Sequence, residues 1–521
     1  MERFANVDWV LLAVFVCVLL YLYAARNRNY WKNQDVPYEP FSLILGPAMR
    51  RLFKPMPLID YERYRKLGRL FGIYEGGKPV LVVAEPDLIK QVLTKDFASV
   101  SDRLPANFFD PIVDNMMGAA SGEHWKKIRT SASPAFTTGK LRKMNELVLE
   151  CVKNTSKHLK QAGDKKKDVD IKQFFGDYGL DIIARCAFGT KLDSHSASSD
   201  QFVTNANKAF AAEWTLPFVI SKLFPGVAGA LKIGPLNSAI FQYFKTFSTN
   251  IMENRKKKNQ RHEDFLQLMM DAQKGTLTDS PETSTNREAA MFDLDSKMSV
   301  GSSPARHVLS EDEALAQCVL FFLAAYDALS TVLSCAAYQL ALNPTIQDKL
   351  RREADECFAT HGEDLNWDVV SKLPYLNCVI SETMRLYTPA FRLDRTTVED
   401  YVLGDTKIKV PKGCAVIVPV YALHRDSEFF PNPEVFDPDR FSDANIASIK
   451  PYSYLPFGAG PRNCIGMRFG LQVVKFGILY AIRAVEFVRT EKTKVPLQFE
   501  TAAVSVLKIK DVTIGIRSRA H

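Results

Sequence analysis

The chain has 521 residues and a net charge of +8, and 46% of its residues are hydrophobic. This apolar content is too high for a disordered chain and too low for a protein with many membrane-spanning helices. Basic residues form few clusters apart from Arg255–Lys258, which a solvated helix face explains, so no nucleic-acid partner is expected. The nine cysteines are scattered without Cys-x-x-Cys pairs, which favours reduced thiols facing the cytosol. Because nine is odd, at least one thiol has no internal disulfide partner.

The first predicted element is a membrane anchor. No charged residue occurs from Trp9 to Ala25, and these positions at about 1.5 Å each nearly cross a hydrocarbon core of roughly 30 Å. A cleaved signal peptide is the alternative, but the run is longer than its usual apolar segment and no small-x-small cleavage site follows. Basic residues from Arg26 to Lys32 follow the run, which keeps the remaining chain cytosolic. We therefore predict a single-pass anchor with its basic flank over residues 1–32 and one catalytic domain over 33–521.

The domain is predicted to be mainly α with a small β-rich lobe. Apolar residues from Leu141 to Val152 follow a helical stripe, and the polar, turn-rich residues 273–308 predict a mobile surface insert. A capping box, Ser310-x-x-Glu313, then opens an apolar run that ends at Asn343, which predicts a helix of about thirty residues through the protein. Strands are predicted at three places: 80–83, 415–418, and the alternating apolar residues between 504 and 516.

The most informative stretch is the loop from Phe457 to Gly466, which holds Cys464. Its glycines and proline predict a tight turn that presents the thiol just before a helix, whose free N–H groups favour a thiolate. Arg462 adds a cation suited to a carboxylate beside a metal. A single thiolate without a nearby Cys or His cannot build a tetrahedral zinc site, but it suffices as the axial ligand of haem iron.

With this loop the sequence resembles the cytochrome P450 family, whose signature is Phe-x-x-Gly-x-Arg-x-Cys-x-Gly. Phe457, Gly460, Arg462, Cys464 and Gly466 occupy every fixed position of it. The resemblance implies haem b as the cofactor, with Cys464 as its axial ligand. It extends over essentially the whole chain, and is closest to the clan of vertebrate liver drug-oxidising and arthropod detoxification enzymes.

The resemblance assigns supporting roles to two further groups of residues. Glu382-x-x-Arg385 is a common spacing in itself, but in the family this pair locks onto an arginine nearer the haem loop, here Arg440, as structural support. The residues expected to meet the haem propionates are Trp125, Arg129 and Arg395. His424 is also a family match, and is expected to be structural because Cys464 already fills the proximal position.

The central helix departs from the family pattern. The family places Ala/Gly-Gly-x-Asp/Glu-Thr-Thr over the distal face of the haem, whereas this chain has Ala324-Ala325-Tyr326-Asp327-Ala328-Leu329. Asp327 keeps the acid, which is costly in so apolar a helix and is therefore a candidate functional group. Ala328 replaces the threonine that holds a water for proton delivery to oxygen in the family.

Three functions remain open from this departure. A monooxygenase would use Asp327 and water, with Ser330 or Thr331 about one turn further on partly replacing the relay. A lipid-peroxide isomerase or dehydratase of the thromboxane-synthase type would need no relay, since its substrate carries the O–O bond. The third function is that of a catalytically weak haem protein that sequesters apolar ligands.

The resemblance also predicts substrates and partners. An apolar, proline-broken region from 214 to 228 is expected to dip into the bilayer and cover the pocket, so a lipophilic small-molecule substrate is expected. The residues that match family pocket positions are Phe108, Phe109, Leu323, Ala324, Ala390 and Leu393. Lys126 and Lys127 are expected to face an acidic electron donor, the membrane-bound NADPH-cytochrome reductase, with cytochrome b5 as a second candidate. The expected location is the endoplasmic reticulum membrane.

Overall fold

The structure is a computed structural model of the chain. It describes residues 25–41, 53–75, 77–103, 108–192, 225–234, 238–277, 308–501 and 506–519. It also describes isolated positions at 11, 14, 15, 18, 21–23, 50, 51, 194, 195, 204, 205, 217 and 220.

Helices dominate the described residues. In chain order they are α1 (Met56–Leu67), α2 (Pro86–Lys90), α3 (Pro111–Asp114), α4 (Gly122–Ala132), α5 (Thr138–Arg142), α6 (Asn145–Asp164), α7 (Ile171–Phe188), α8 (Pro225–Ala230), α9 (Ser238–Lys258), α10 (Phe265–Gln273), α11 (Glu311–Leu342), α12 (Pro344–His361), α13 (Trp367–Ser371), α14 (Pro374–Leu386), α15 (Val420–Leu423) and α16 (Met467–Ala484). The prediction of a mainly helical domain is confirmed.

The central helix is α11, and its start is fixed by the predicted capping box. The Ser310 hydroxyl accepts the backbone N–H of Glu313, and the Glu313 carboxylate accepts the backbone N–H of Ser310. The helix is buried along most of its length because α7, α10, α14 and α16 pack around it. It ends at Asn343, where Pro344 cannot continue the hydrogen-bond ladder and begins α12.

The strands form small sheets. They are β1 (Leu70–Glu75), β2 (Lys78–Val83), β3 (Asp168–Asp170), β4 (Leu393–Thr396), β5 (Tyr401–Val402), β6 (Lys409–Val410), β7 (Ala415–Val418), β8 (Val485–Val488) and β9 (Thr513–Ser518). The larger sheet has the order β1-β2-β7-β4, in which β2 and β7 are parallel and the other pairs are antiparallel. A three-stranded antiparallel sheet, β3-β9-β8, contains the chain's last strand.

The predicted elements agree with this fold except at two places. Of the third predicted strand region, Thr513–Ser518 is the strand β9, whereas Val506 and Ile509 form isolated β-bridges. The strands predicted at 80–83 and 415–418 are β2 and β7. The apolar stripe that begins at Leu141 is divided between α5 and α6, because Lys143 and Met144 leave the helical ladder. Val504 and most of the predicted insert, residues 278–307, lie outside the described residues.

Most of the predicted anchor also lies outside the described residues. Within the part of the chain that is described, α11 is the one helix long and apolar enough to cross a bilayer. About 61% of its most apolar window is buried inside the protein, as in the core helix of a soluble domain.

Candidate active site

The cysteine loop is held in a conformation that only glycine allows at two positions. Gly458 and Gly460 have positive φ values of 73° and 70°. A β-carbon at Gly460 would also lie closer than 3.0 Å to the carbonyl oxygen of Leu93. The turn is closed by two backbone hydrogen bonds, from Asn463 N–H to the Gly460 carbonyl at 3.0 Å and from Cys464 N–H to the Phe457 carbonyl at 2.9 Å.

The loop gives Cys464 an environment that the other described cysteines lack. Cys464 is exposed, whereas the other seven are buried. Burial nevertheless raises the pKa of its thiol, and the Gly466 N–H and the nearby Arg129 and Arg103 act in the opposite direction. A thiol that is accessible and yet surrounded by protein faces an internal cavity. The hydrogen bond and the cations favour its thiolate, which is the form that binds metal.

Four arginines lie together beside this cavity. Burial and the charges of Arg103 and Arg395 lower the pKa of Arg462 to about 9. Burial and Arg103 lower the pKa of Arg395 to about 10, and burial lowers that of Arg129 to about 10 although Cys464 opposes this. Arg129 donates to the Asn463 carbonyl at 3.0 Å and to the Asn463 side-chain oxygen at 2.7 Å, so it is tied to the cysteine loop.

This cluster has too few anions for its charge. The Nε and Nη1 atoms of Arg462 and the Nε of Arg395 are buried without a hydrogen-bond partner. Asp102 contacts Arg462 at 3.4 Å, and the Trp125 ring lies 4.2 Å below its guanidinium. Buried guanidinium N–H groups without hydrogen-bond partners are costly, so the site is built for a ligand that brings negative charge. A haem provides two propionate carboxylates and an iron that takes a thiolate, so these residues fit it.

The helix α11, which packs against α16, has an open stretch in its middle. Residues 323–328 are not buried, although residues 313–319 and 329–341 on either side are, and Ala324 is exposed. Phe321, one turn before Ala324, packs 5.2 Å from the ring of Phe469 in α16, the helix that follows the cysteine loop. The open stretch of α11 and the exposed Cys464 are therefore on facing elements.

The two hydroxyl groups predicted to substitute for the missing threonine are already engaged. Ser330 donates to the Asp327 carbonyl at 3.3 Å, and Thr331 donates to the Leu507 carbonyl at 3.4 Å. Both residues are buried. Asp327 is different, because its carboxylate is 3.7 Å from the Lys508 ammonium and burial raises its pKa.

The predicted pocket residues come from three described parts of the fold. Leu323 and Ala324 lie in the open stretch of α11, and Leu393 packs against Gly458 of the cysteine loop. Ala390 forms an isolated β-bridge with Val506. Leu393 therefore borders the cysteine loop directly, whereas Leu323 and Ala324 lie on the accessible part of α11.

Phe108 and Phe109 lie in a constrained loop before α3. Phe109 has a positive φ of 52°, which is uncommon for a residue other than glycine. Gly234 approaches so closely that a β-carbon there would clash with the Phe108 carbonyl. This loop is thus in contact with the segment between α8 and α9. Most of the apolar region 214–228 lies outside the described residues.

Glu382 and Arg385 form a fully buried ion pair in α14. Arg385 donates to both Glu382 oxygens, at 2.7 and 2.8 Å, and to the carbonyls of His424 and Pro433. Arg440 lies 3.5 Å from Glu382. His424 is also buried, and its Nε2 accepts the Leu455 N–H at 2.9 Å. The pair therefore connects α14 to the segments that lead into the cysteine loop.

Two residues of this region were not predicted from the sequence. Arg103 is an isolated arginine in a loop, and only the fold brings it to the arginine cluster. Lys508 is far from Asp327 in the chain, and a basic residue in a strand pattern carries no signal of its own. The expected role of Lys127 in donor contact competes with an internal partner, since its ammonium lies 3.0 Å from the Glu313 carboxylate.

Comparisons with known proteins agree with this geometry. The family profile of cytochrome P450 matches residues 39–514. Cytochrome P450 3A15 of Cavia porcellus is 35% identical over 512 residues, covering 96% of this chain and 95% of the relative. Cytochrome P450 3A7 of Homo sapiens is 34% identical over 519 residues, covering 98% and 96%. Cytochrome P450 3A16 of Mus musculus is 35% identical over 500 residues, covering 95% and 93%.

Proposed function

Because the chain belongs to the cytochrome P450 family and is a haem-thiolate monooxygenase, we propose that it oxidises lipophilic small molecules at the cytosolic face of the endoplasmic reticulum membrane. One oxygen atom of O2 enters the substrate, and two electrons come from NADPH through a membrane-bound reductase. The observation that carries the proposal is an exposed thiol in a cavity beside buried, partly unpartnered arginines.

The chain's own residues hold the cofactor and shape the site. Cys464 would ligate the haem iron, and the Gly466 N–H and nearby arginines would favour negative charge on its sulfur. The residues proposed to hold the propionates are Arg103, Trp125, Arg129, Arg395 and Arg462. Glu382, Arg385 and Arg440 are proposed to support the cysteine loop through their buried ion pairs. When bound, the haem supplies the iron chemistry of oxygen activation, which no side chain can perform.

Substrates are proposed to be sizeable lipophiles held mainly by shape. Ala324 and Leu393 are proposed to offer apolar surface to the substrate, and Phe108 and Phe109 to offer aromatic surface. Such a pocket orients a ligand through packing and a few polar groups. Residues 1–32 are proposed to anchor the protein, which would allow such molecules to arrive from the bilayer. Cytochrome b5 is proposed as a second electron donor.

One observation favours a second candidate function. Ala328 carries no hydroxyl, and the hydroxyls of Ser330 and Thr331 are bonded to backbone carbonyls. A lipid-peroxide isomerase or dehydratase needs no proton relay, because its substrate already contains the O–O bond.

The first experiment compares two oxygen sources. Purified full-length protein is given lipophilic substrates either with NADPH, reductase and O2 or with an organic hydroperoxide. The monooxygenase turns over with NADPH. Turnover only with peroxide would favour the isomerase, and turnover with neither would indicate a binding protein.

The second experiment tests the ligand. Cys464→Ala is expected to lose the red-shifted carbon monoxide band of thiolate-ligated haem. Cys357→Ala is the matched control, because Cys357 is buried on α12 away from the cysteine loop. A Cys464→Ala protein that kept the band would refute the assignment.

A further inference from the structure

The open stretch of α11 contains two titratable side chains, Tyr326 and Asp327. The hydroxyl of Tyr326 packs against Gly176 of α7. With Ala328 lacking a hydroxyl and Ser330 and Thr331 engaged, Asp327 is the remaining group in this stretch that can deliver a proton toward the cavity. What surrounds Asp327 therefore controls how protons reach the site.

The C-terminal hairpin, residues 498–501 and 506–510, places charged groups around Asp327. The Lys508 ammonium lies 3.7 Å from the Asp327 carboxylate. Glu500 and Lys508 are cross-strand neighbours, joined by a 2.8 Å hydrogen bond from the Glu500 N–H to the Lys508 carbonyl. Lys172 at the start of α7 contacts Glu500 at 3.2 Å and donates to the Ile509 carbonyl at 2.7 Å.

Exposure increases along this set of charges. The side chains of Lys508 and Asp327 are 15% and 22% exposed, whereas those of Lys172 and Glu500 are 31% and 36% exposed. The charges thus lead from the partly buried acid of the central helix to solvent at the hairpin.

We propose that Lys508 is a positioning residue that holds the Asp327 carboxylate, and that Lys508, Lys172 and Glu500 form the solvent side of a proton access route to the active site. The proposal rests on the proposed monooxygenase function. It explains how this chain supplies protons without the alcohol that other members of its family have next to the acid.

The proton balance of the reaction requires such a route. A monooxygenase converts RH, O2, two electrons and two protons into ROH and H2O. The electrons come from NADPH through the reductase, and the protons come from water. Asp327 accepts a proton that arrives past Lys508, releases it on the cavity side and returns to the carboxylate form, so the chain itself is unchanged after each cycle.

The charges around Asp327 act on it in opposite directions. Burial raises its pKa, Lys508 and Lys172 lower it, and Glu500 raises it. Tyr326 is the adjoining titratable group on α11 itself. Removing Lys508 is therefore expected to move the Asp327 titration to higher pH, whereas removing Glu500 is expected to move it to lower pH. A merely structural role for the hairpin would not produce opposite shifts.

Infrared spectroscopy of the haem-loaded full-length protein measures this directly. The carboxylic acid band of Asp327 is identified as the band lost in Asp327→Asn, and its intensity is followed against pH. Lys508→Met is expected to shift the midpoint upward, and Glu500→Gln to shift it downward. Lys510→Met is the control, because Lys510 is exposed on the same hairpin. An unchanged midpoint in both Lys508→Met and Glu500→Gln would overturn the proposal.

Coupling provides the second measurement. In Lys508→Met, the ratio of product formed with NADPH and reductase to product formed with an organic hydroperoxide is expected to fall about tenfold, because only the first reaction takes protons from solvent. Lys508→Arg is expected to restore the ratio, and Lys510→Met to leave it unchanged. A ratio that stayed at the wild-type value in Lys508→Met would count against the route. If wild-type protein oxidised nothing with NADPH, the proposed function would fail, while the infrared titration would still decide the place of Lys508.

Discussion

At the residue scale, Gly460 shows how the cysteine loop depends on the absence of a side chain. Its φ of 70° is accessible to glycine, and its α-carbon lies against the Leu93 carbonyl, which a β-carbon would overlap. Either the loop or the segment after α2 would have to move to make room. Since Cys464 is fixed by the same turn, that movement would displace the sulfur.

We expect Gly460→Ala to destabilise the protein by about 2 kcal/mol or more and to reduce haem content, because it combines strain with a clash. Thermal unfolding and the absorbance of bound haem would measure both effects. Gly470→Ala is the matched control, since Gly470 lies in α16 with open space around it and a β-carbon there should stabilise the helix slightly. Equal stabilities for the two variants would contradict the clash.

Residues within one local motif could be predicted, and residues joined only by the fold could not. The family signature lies within ten consecutive positions of the cysteine loop, so the sequence alone identifies Cys464 and Arg462. Arg103 and Lys508 each reach the site from another segment, and neither belongs to a local pattern. The spacing of Ser330 and Thr331 predicts that they help the proton relay. Spacing alone cannot show that their hydroxyls donate hydrogen bonds to backbone carbonyls.

At the element scale, the best predictions come from strong end signals. The capping box defines the start of α11 because the Ser310 and Glu313 side chains accept backbone N–H groups there. The Asn343-Pro344 pair defines its end because proline cannot continue the hydrogen-bond ladder. The continuous stripe from Leu141 predicted one helix instead of two. A hydrophobic stripe records which face is buried, and α5 and α6 can keep one face buried across a break at Lys143.

The helix α7 carries a partly buried acid, Asp177, that should make stability depend on pH. Burial raises the pKa of Asp177 from 3.8 to about 7, although Gln173 donates to it at 2.8 Å. Asp181 raises the same pKa, and the His195 ring lies 3.8 Å from the carboxylate. The folded state therefore binds more protons than the unfolded chain between about pH 4 and 7.

It follows that the stability contributed by Asp177 is present below about pH 4 and is lost as the pH rises through 7. We expect Asp177→Asn to be more stable than the wild type by about 1 kcal/mol at pH 8 and to lose this advantage near pH 4. Denaturant unfolding at several pH values would measure the difference. Asp364 is exposed, so Asp364→Asn should show no such trend. An equal gain in the stability of Asp177→Asn at both pH values would rule out titration of Asp177 as the cause.

At the scale of the whole molecule, the cofactor site is part of the fold's stability. The open stretch of α11, the cysteine loop and the strand β4 meet around a cavity whose side wall carries four arginines. Without an anion these charges are costly inside the protein, because burial chiefly, and repulsion among the arginines in addition, lowers the pKa values of Arg462, Arg395 and Arg129. The folded chain therefore contains buried positive charges that its own residues do not fully pair.

These unpaired charges predict that one substitution stabilises the haem-free protein and weakens haem binding in the haem-loaded protein. Arg395→Met removes a buried charge whose Nε has no partner, so the haem-free protein should become more stable by about 1–3 kcal/mol. The haem-loaded protein should instead release haem about tenfold faster, because one charge-assisted hydrogen bond to a propionate is lost. Unfolding of the haem-free form and haem transfer to excess apomyoglobin measure the two effects. Arg352 on α12 is exposed, so Arg352→Met should change neither the stability of the haem-free protein nor the rate of haem release. A loss of stability in haem-free Arg395→Met would show that the arginine cluster does not require an anion.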